Sequence, residues 1–332
     1  MKDKNKPLVS IGVPVFNGEK GICRALDSLL EQDYPYLEII ISDNASDDAT
    51  PSICAEYVKK DSRVRYFRSE KNHEIIWNFS RVFELSSGKY FMWAAHDDHR
   101  EPSFVSACVD KMESCPDAVL CQARTSIFID GSEDMLCVAG LDSFEGATGL
   151  VERYRETLKR FPATVIYGLY RSSAMRKTKM LQKNMATDLA FIQELSIYGS
   201  FVQVPETLFT YVGRKKWNSV HREYRASVGK DKKPWWYLPF AVLFLSHCKR
   251  VARAPVPFSD KFRLWAVLLG HETGRITMKA MVKAAGPLCP GRWKEKLGRG
   301  IYLRWVHNPN MKICREDLFL ERIIKPTLGW WR

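Results

Sequence analysis

The chain has 332 residues, of which 45% are hydrophobic and 27% charged, so it has an ordinary globular composition and can bury one large core or two smaller ones. Its nine cysteines are scattered and none forms a Cys-x-x-Cys pair, which argues against a disulfide framework or a zinc site. We therefore expect a reducing, cytoplasmic setting. The basic N-terminus is not followed by an apolar region with a cleavage site, and we expect no secretory signal.

The net charge of +13 is divided unevenly along the chain. Residues 1–212 carry 25 Lys and Arg against 30 Asp and Glu, a balance of −5, whereas residues 213–332 carry 26 against 8, a balance of +18. Eight of the ten tryptophans also lie after residue 213. An acidic first part and a basic, Trp-rich second part predict two domains with different roles, 1–212 and 213–332.

Strand and helix patterns alternate over the first 130 residues. Short apolar runs predict strands and helically spaced apolar residues predict helices between them. This alternation predicts a mainly parallel sheet with helices on both faces. In chain order, the predicted elements are strand 8–15, helix 21–31, strand 37–42, a helix from 47 through 58, strand 64–67, helix 75–85, strand 90–95 and helix 104–113.

The pattern is looser after residue 118. A helix is predicted over 186–199, with Leu189, Ile192 and Leu195 facing inward and Gly199 ending it. An acidic, glycine-containing loop is expected over 131–149. The remaining predicted strands are 118–121, 126–130, 165–170 and a closing pair, 201–204 and 207–212.

The basic part contains two apolar, aromatic segments, 235–245 and 261–269, each flanked or interrupted by Lys and Arg. Both are shorter than the roughly 20 apolar residues that a membrane-spanning helix needs. They are suited to lying in a membrane interface. Packing on the first domain as ordinary helices explains the same pattern equally well.

Two adjacent carboxylates, Asp97 and Asp98, follow the strand 90–95. Ligands of open α/β sheets bind beyond the carboxyl ends of the strands, and carboxylates there suit Mg²⁺ or Mn²⁺. The alternative role for Asp97 is to cap the helix over 104–113. His96 and His99 flank the acids, but no further ligand at an expected spacing supports zinc.

Four segments together resemble the family 2 glycosyltransferases, inverting enzymes of GT-A fold that use nucleotide-activated sugars. The resemblance covers about residues 7–215. The segments are Val9-Ser10-Ile11-Gly12-Val13-Pro14-Val15-Phe16-Asn17, Glu38-Ile39-Ile40-Ile41-Ser42-Asp43-Asn44-Ala45-Ser46-Asp47-Asp48, the strand leading to Asp97-Asp98, and Thr187-Asp188-Leu189.

The resemblance implies a role for each matching residue. Asp43 matches the acid that accepts a hydrogen bond from the nucleotide base, and an acceptor-only carboxylate suits the imide N–H of uracil or thymine, so UDP or dTDP donors are expected. Pro14 and Phe16 match the loop along the base. The full set of expected nucleotide-sugar-binding residues is Pro14, Phe16, Asn17, Asp43, Asn44, Asn72 and Asp98.

The resemblance also implies the reacting groups. Asp97 matches the last acid of an Asp-x-Asp motif and is expected to bind Mg²⁺ or Mn²⁺, but the first acid of that motif is replaced by Ala95. Either Asp98 supplies the second interaction or fewer carboxylates hold the metal and ribose. Asp188 matches the catalytic base, the alternative being a helix cap. Weaker candidates for phosphate or acceptor contacts, besides Asn72, are Lys71, Arg171 and Arg214.

The resemblance therefore implies a GT-A-like domain that transfers a hexose from a nucleotide sugar to a glycan or lipid-linked acceptor. The expected process is cell-envelope polysaccharide or glycolipid synthesis. The helical extension is expected either to bind an anionic membrane surface peripherally or to pack on the domain. The alternative is a non-catalytic scaffold whose basic tail binds anionic lipid or nucleic acid. No helix-turn-helix or zinc-finger pattern occurs, which disfavours nucleic acid. A nucleotidyltransferase would show a Gly-rich basic loop after the first strand, and residues 14–21 lack one.

Overall fold

The computed structural model describes residues 6–129, 133–158, 163–184, 186–213, 239–285 and 311–314. Arg214 and the start of the predicted 235–245 segment lie outside these residues. Strands are numbered β1–β10 and α-helices α1–α9 in chain order.

The first half of the chain forms a parallel sheet, as the alternating pattern predicts. Strands β3, β2, β1 and β4 lie side by side in that order, and all their pairings are parallel. Four helices connect them or follow them. The elements are β1 (Val9–Val15), α1 (Ile22–Leu30), β2 (Leu37–Asp43), α2 (Thr50–Lys60), β3 (Val64–Arg68), α3 (Ile75–Glu84), β4 (Tyr90–Trp93), β5 (His99–Arg100) and α4 (Phe104–Ser114).

The second half extends this sheet beyond β4. Strand β8 joins β4 and β6 in antiparallel pairings, β7 and β10 continue outward, and β9 pairs parallel with β6 and antiparallel with β5. The whole is a mixed α/β fold with a parallel centre, which agrees with the fold that the resemblance implies. The elements are β6 (Ala118–Ile129), β7 (Met135–Ala139), α5 (Leu150–Leu158), β8 (Leu169–Arg171), α6 (Ser172–Met175), α7 (Thr187–Leu195), β9 (Ser200–Gly213), α8 (Pro239–Arg253), α9 (Phe258–Ala285) and β10 (Met311–Ile313).

Several boundaries of the second half differ from the prediction. The pairs 118–121 with 126–130 and 201–204 with 207–212 are two long strands, β6 and β9, whose mutual register shifts beside Ala123 and Arg124. These irregularities interrupt the apolar alternation, so the sequence predicts two short strands where the structure has one long strand. The expected loop 131–149 contains β7, and the segment 165–170 begins as a 3₁₀ helix before β8.

Helix α7 is shorter than predicted and has a different outward face. It ends at Leu195, and Leu189 is 37% exposed instead of facing inward, whereas Ile192 and Leu195 are buried as expected. Residues 190–195 are all buried. Because nearly the whole helix is enclosed, helical periodicity cannot show which positions face the core.

The central strands are buried on both faces, which explains their continuous apolar sequences. On β2, Ile39 and Ile41 belong to one core cluster and Ile40 to the other. Trp93 at the end of β4 lies in the second cluster and is fully buried. Its indole N–H donates to the carbonyl oxygen of Phe79 at 2.9 Å, so the end of β4 is fixed by packing and by a hydrogen bond.

The two C-terminal helices pack on the preceding domain. Val251 and Leu264 share a small core with Tyr154 of α5 and with Ile197, directly after α7. Within the part of the chain that the structure describes, no helix is long and apolar enough to span a membrane. The packing of α8 and α9 gives the apolar segments of the basic part a partner within the chain.

Two ionisable residues are buried at β5: Asp98 directly precedes the strand and Arg100 is its second residue. Arg100 is 1% exposed, donates to the carbonyl oxygen of Trp93 at 3.0 Å and lies over the Phe209 ring, and burial lowers its pKa to about 10. Asp98 is also 1% exposed, and neither carboxylate oxygen has a hydrogen bond of ordinary geometry among the described residues. Desolvation raises the pKa of Asp98 to about 7, although the Arg100 charge opposes this increase.

We predict that Asp98 destabilises the fold as pH rises. Its folded pKa exceeds the unfolded value, so its favourable contribution is complete below about pH 4 and is lost as pH rises toward 7. The unfolding free energy of Asp98→Asn minus that of the wild type should therefore increase by an amount on the order of 4 kcal/mol between pH 4 and pH 8. Denaturant unfolding in EDTA measures this. Asp110→Asn, at an exposed carboxylate, is the control, and a pH-independent difference for Asp98→Asn would contradict the prediction.

Candidate active site

The site lies where β1, β2 and β4 end on the same edge of the sheet. Side chains and backbone groups join the turns after β1 and β2: the Asn44 N–H donates to the Val15 carbonyl at 2.9 Å, and the Asn17 N–H donates to Ser46 Oγ at 2.9 Å. The Asn17 Oδ1 accepts from the Asp47 N–H at 3.0 Å, and Asn17 has a left-handed φ of 52°. Asn17 therefore holds the two turns together in this structure.

The β1 turn presents one aromatic ring to solvent. Phe16 is 42% exposed, whereas Pro14 is buried within the end of β1. An exposed ring beside the strand ends has a free face on which a planar base can stack. Phe16 is thus available for the predicted base contact, and Pro14 supports the strand that carries it.

Asp43, at the end of β2, is fully buried and already has partners. Its Oδ1 accepts from the Ser46 N–H at 2.9 Å, and its Oδ2 accepts from the Tyr66 hydroxyl at 2.7 Å. Arg68 Nε lies 3.4 Å from the same Oδ2, with its side chain 52% exposed. Arg68 also donates to the Ser46 carbonyl at 2.8 Å, so its side chain covers the carboxylate that is predicted to accept from a nucleotide base.

Asn44 connects the β2 turn to the loop after β3. Its Nδ2 donates to Asn72 Oδ1 at 2.9 Å and to the His73 carbonyl at 2.8 Å, and its Oδ1 accepts from the His73 N–H at 2.9 Å. The Asn44 side chain is 3% exposed, so it positions the loop, whereas Asn72 is exposed beside it. Lys71, the neighbouring phosphate candidate, is also exposed.

Asp97 lies after β4 and is held against helix α1. The Arg24 guanidinium donates to the Asp97 carbonyl, and a Cβ at Gly21 would lie 2.8 Å from the His96 carbonyl and 3.2 Å from Asp97 Cα. This close approach requires glycine at position 21. The Asp97 side chain is partly buried, and its carboxylate has no hydrogen-bond partner among the described residues. Ser103, not Asp97, occupies the N-cap of α4.

Asp188 is the second residue of α7 and is partly buried. Desolvation raises the pKa of the Asp188 carboxyl, and the backbone N–H groups of Leu189 and Asp188 oppose this increase. Ala186 occupies the N-cap in a left-handed conformation with φ 54°, so Asp188 is not the cap.

A tyrosine-bearing segment before and within β8 links the two acidic groups. Burial raises the pKa of Tyr167 well above its ordinary value, with further contributions from Asp98 and Asp97, while Tyr170 is similarly raised with a contribution from Asp188. Tyr167 and Tyr170 are three residues apart. Ring contacts give the geometry: Tyr170 packs against Trp93 at the end of β4 and against Phe191 of α7, the helix that carries Asp188, with centroid distances of 5.5 and 5.6 Å.

The site suits a metal ion that is bound jointly by a carboxylate and substrate phosphates better than one bound by protein ligands alone. Among the described residues, no group of three or more His, Cys, Asp or Glu side chains is placed to hold a metal ion. Mg²⁺ commonly uses one or two carboxylates together with substrate phosphates. The partly buried Asp97 carboxylate meets that requirement, whereas His99 lies 3.7 Å from Glu101 in an ion-pair contact.

Some site residues were not predicted, and one weak candidate lies elsewhere. Arg24, Tyr66, Arg68 and Asn78 all contact the strand ends; Asn78 Nδ2 donates to the carbonyls of Val15 at 3.2 Å and Ser42 at 2.9 Å. Tyr66 and Arg68 could have been found from strand register, because Arg68 pairs with Asp43. Arg171, by contrast, pairs with Tyr90 at the start of β4 and donates to the carbonyls of Ala118 and Met112, so it is structural and distant from this edge.

Comparison with known proteins identifies the family of this chain. The family model "Glycosyl transferase family 2" matches residues 10–185. The chondroitin synthase of Escherichia coli is 37% identical over 108 residues, which cover 32% of this chain and 16% of the synthase. The putative teichuronic acid biosynthesis glycosyltransferase TuaG of Bacillus subtilis is 33% identical over 93 residues, 28% of this chain and 37% of TuaG. The matched segments thus span under two-fifths of these relatives.

Solved structures share the fold at low sequence identity. TarS residues 1–349 of S. aureus in complex with UDP superimposes with a TM-score of 0.59 at 16% identity, covering 98% of this chain and 92% of that one. The mannosyltransferase PcManGT of Pyrobaculum calidifontis, in complex with GDP-Man and Mn²⁺, gives a TM-score of 0.55 at 16% identity, covering 92% and 83%. Because the family model matches more than half of its residues, this chain belongs to glycosyltransferase family 2.

Proposed function

We propose that this glycosyltransferase is an inverting enzyme that moves a sugar from a nucleoside diphosphate to an acceptor hydroxyl. The observation that carries the proposal is that α7, which carries Asp188, packs through Phe191 on Trp93, at the end of the strand that leads to Asp97. A donor diphosphate and an attacking hydroxyl need groups of these two kinds on opposite sides of the anomeric carbon.

Asp188 is the proposed general base. It accepts the proton of the acceptor hydroxyl while the hydroxyl oxygen forms a bond to the anomeric carbon and the bond to the diphosphate breaks. A single displacement of this kind inverts the configuration at that carbon. The raised pKa of Asp188 makes it a stronger base than an ordinary aspartate, which suits proton transfer near neutral pH.

Asp97 is the proposed ligand of Mg²⁺ or Mn²⁺. The bound ion would act as a Lewis acid that stabilises negative charge on the departing diphosphate. Arg24 positions Asp97 through the backbone carbonyl and leaves the carboxylate available. Asp98 is buried beside it, so with Ala95 in place of a motif acid the proposed metal site depends chiefly on Asp97.

For the donor, we propose a uridine or thymidine nucleotide. Asp43 is acceptor-only, Phe16 offers an exposed ring, and Asn17, Asn44 and Asn72 order the adjoining turns. TarS binds UDP and UDP-GlcNAc, whereas PcManGT binds GDP-Man, so the fold accommodates either type of base. The acceptor-only carboxylate favours a base with an imide N–H.

For the acceptor, we propose a glycan or lipid-linked glycan of the cell envelope. TuaG is named for teichuronic acid biosynthesis, and chondroitin synthase also builds a polysaccharide. A surface feature of α9 supports delivery at a membrane. Phe258, Phe262 and Leu269 are 74%, 65% and 55% exposed, whereas Leu264 and Leu268 on the opposite side are buried.

This exposed apolar stripe, Phe258, Phe262 and Leu269, fits the interface of an anionic membrane. Arg263 is beside it with its side chain 68% exposed, and residues 213–332 carry a charge of +18. Apolar side chains enter the acyl boundary while each basic residue near anionic head groups contributes about 1 kcal/mol. We therefore propose peripheral attachment, which would bring the site to a lipid-linked acceptor.

The first prediction from the proposed function concerns the metal ligand. Asp97→Ala should bind UDP equally well in Mn²⁺ and in EDTA, while the wild type should bind at least about tenfold more tightly with Mn²⁺, a difference of about 1.4 kcal/mol. Isothermal titration calorimetry measures both. Asp33→Ala, at an exposed aspartate, is the control. If Mn²⁺ still strengthens UDP binding to Asp97→Ala, the ligand is another residue.

The second prediction concerns the base. Asp188→Asn should lower kcat by about 10²–10⁴-fold and leave donor Kd within about twofold, because it removes proton transfer but not donor contacts. The acid limb of the wild-type kcat profile should lie above the ordinary carboxyl pKa of about 4. Glu206→Gln, at an exposed carboxylate, is the control. A near wild-type rate for Asp188→Asn would leave it with a structural role only.

The third prediction concerns the membrane. The full-length protein should sediment with phosphatidylglycerol vesicles at low salt, less at high salt, and not with neutral vesicles. Phe258→Ser with Phe262→Ser should abolish sedimentation, whereas Val58→Ser, at an exposed apolar residue of α2, should not. A wild-type protein that stays in the supernatant would reject attachment, and a dimer seen by light scattering would assign the stripe to self-association.

A further inference from the structure

The C-terminal helix α8 contacts α7, the helix that carries Asp188, through a buried ion pair. Arg250 of α8 donates from its guanidinium to Glu194 in the last turn of α7. The two side chains are 3% and 2% exposed. Replacing a buried ion pair with apolar residues is often neutral or stabilising, so such a pair is weak evidence for a role in stability.

The same two residues hold the loop that leads into α7. Glu194 Oε2 accepts from the backbone N–H of Lys179 at 2.8 Å, and a second guanidinium nitrogen of Arg250 donates to the carbonyl of Met180 at 3.0 Å. Arg250 Nε also donates to Ser246 Oγ at 3.4 Å. Backbone groups of the loop are thus bound from both members of the ion pair.

The loop needs such support because its backbone is strained. Met180 and Ala186 have left-handed φ angles of 53° and 54°, a conformation that residues with a side chain seldom adopt. Ala186 is the N-cap of α7, two residues before Asp188. The loop closes on the helix start through the Gln182 N–H, which donates to Thr187 Oγ1 at 2.6 Å.

We propose that Arg250 and Glu194 are positioning residues that set the place of Asp188 through the described residues before α7, 179–184 and Ala186. The C-terminal helices would then complete the active site in addition to any role at a membrane. This inference rests on the proposed role of Asp188 as the base. A general base must lie within hydrogen-bond reach of the hydroxyl that it deprotonates, and a displacement of about 1 Å can lower the rate by about 10²-fold.

The experiment compares three variants of the full-length protein in the absence of vesicles. Arg250→Met with Glu194→Leu replaces the pair by apolar side chains and removes the contacts to Lys179 and Met180. Arg250→Lys keeps a cation beside Glu194 but lacks the planar fork that reaches two acceptors. Arg253→Gln is the matched control, an exposed arginine on the same helix.

The readouts are kcat, donor KM, thermal unfolding and the stoichiometry of UDP binding, which gives the folded fraction. Both Arg250 variants should lower kcat per folded molecule by about 10- to 100-fold with donor KM within about twofold, and Arg253→Gln should match the wild type. If the double variant does not fold, Arg250→Lys carries the test. A wild-type kcat in a folded Arg250 variant would overturn the inference.

Asp188→Asn, measured in parallel, separates the two proposals. Loss of rate in Asp188→Asn without loss in the Arg250 variants rejects the positioning role alone. A wild-type rate in Asp188→Asn rejects the base assignment and the positioning inference with it.

Discussion

The geometry of the site depends on the packing of one side chain, Trp93. Its ring meets Phe91, Tyr170 and Phe191 edge-to-face at centroid distances of 5.1, 5.5 and 5.6 Å. Each such pair contributes about 0.5–1.5 kcal/mol beyond burial. Since β4 leads to Asp97 and Phe191 belongs to the helix that carries Asp188, apolar packing sets the relation between the two acids. Neither acid needs a polar contact with the other.

The acids at this edge have opposite electrostatic environments. Asp43 is fully buried but accepts hydrogen bonds from Ser46 and Tyr66, so its burial is compensated. Asp98 and Asp188 are desolvated with less compensation, and their pKa values rise. Perturbed pKa values cluster at functional sites because chemistry requires groups that the fold does not fully satisfy. The contrast distinguishes a carboxylate suited to recognition from one suited to proton transfer.

The sequence predicts the parallel half of the fold well because its strands are buried on both faces and its helices are amphipathic; α1 differs from its predicted span by one residue at each end. The second half depends on long-range pairing of β6 with β9, whose register shifts hide the alternation. At the site, acids following strands could be found from chain order alone. Arg68 and Asn78 could not be found from chain order alone. Arg68 reaches Asp43 through the pairing of β3 with β2, and Asn78 donates to carbonyls at the ends of β1 and β2.

The two helices of the basic part, α8 and α9, face different surroundings. Composition predicts a second domain after residue 212, and Val251 and Leu264 of that part share a core with Tyr154 and Ile197. Helix α8 presents Arg250 to the loop before Asp188, and α9 presents Phe258 and Phe262 to solvent. Because α8 packs against both α7 and α9, the proposed membrane stripe on α9 and the proposed support of Asp188 on α8 belong to one packed unit. The proposed attachment and the proposed positioning of Asp188 would therefore act through the same helix pair.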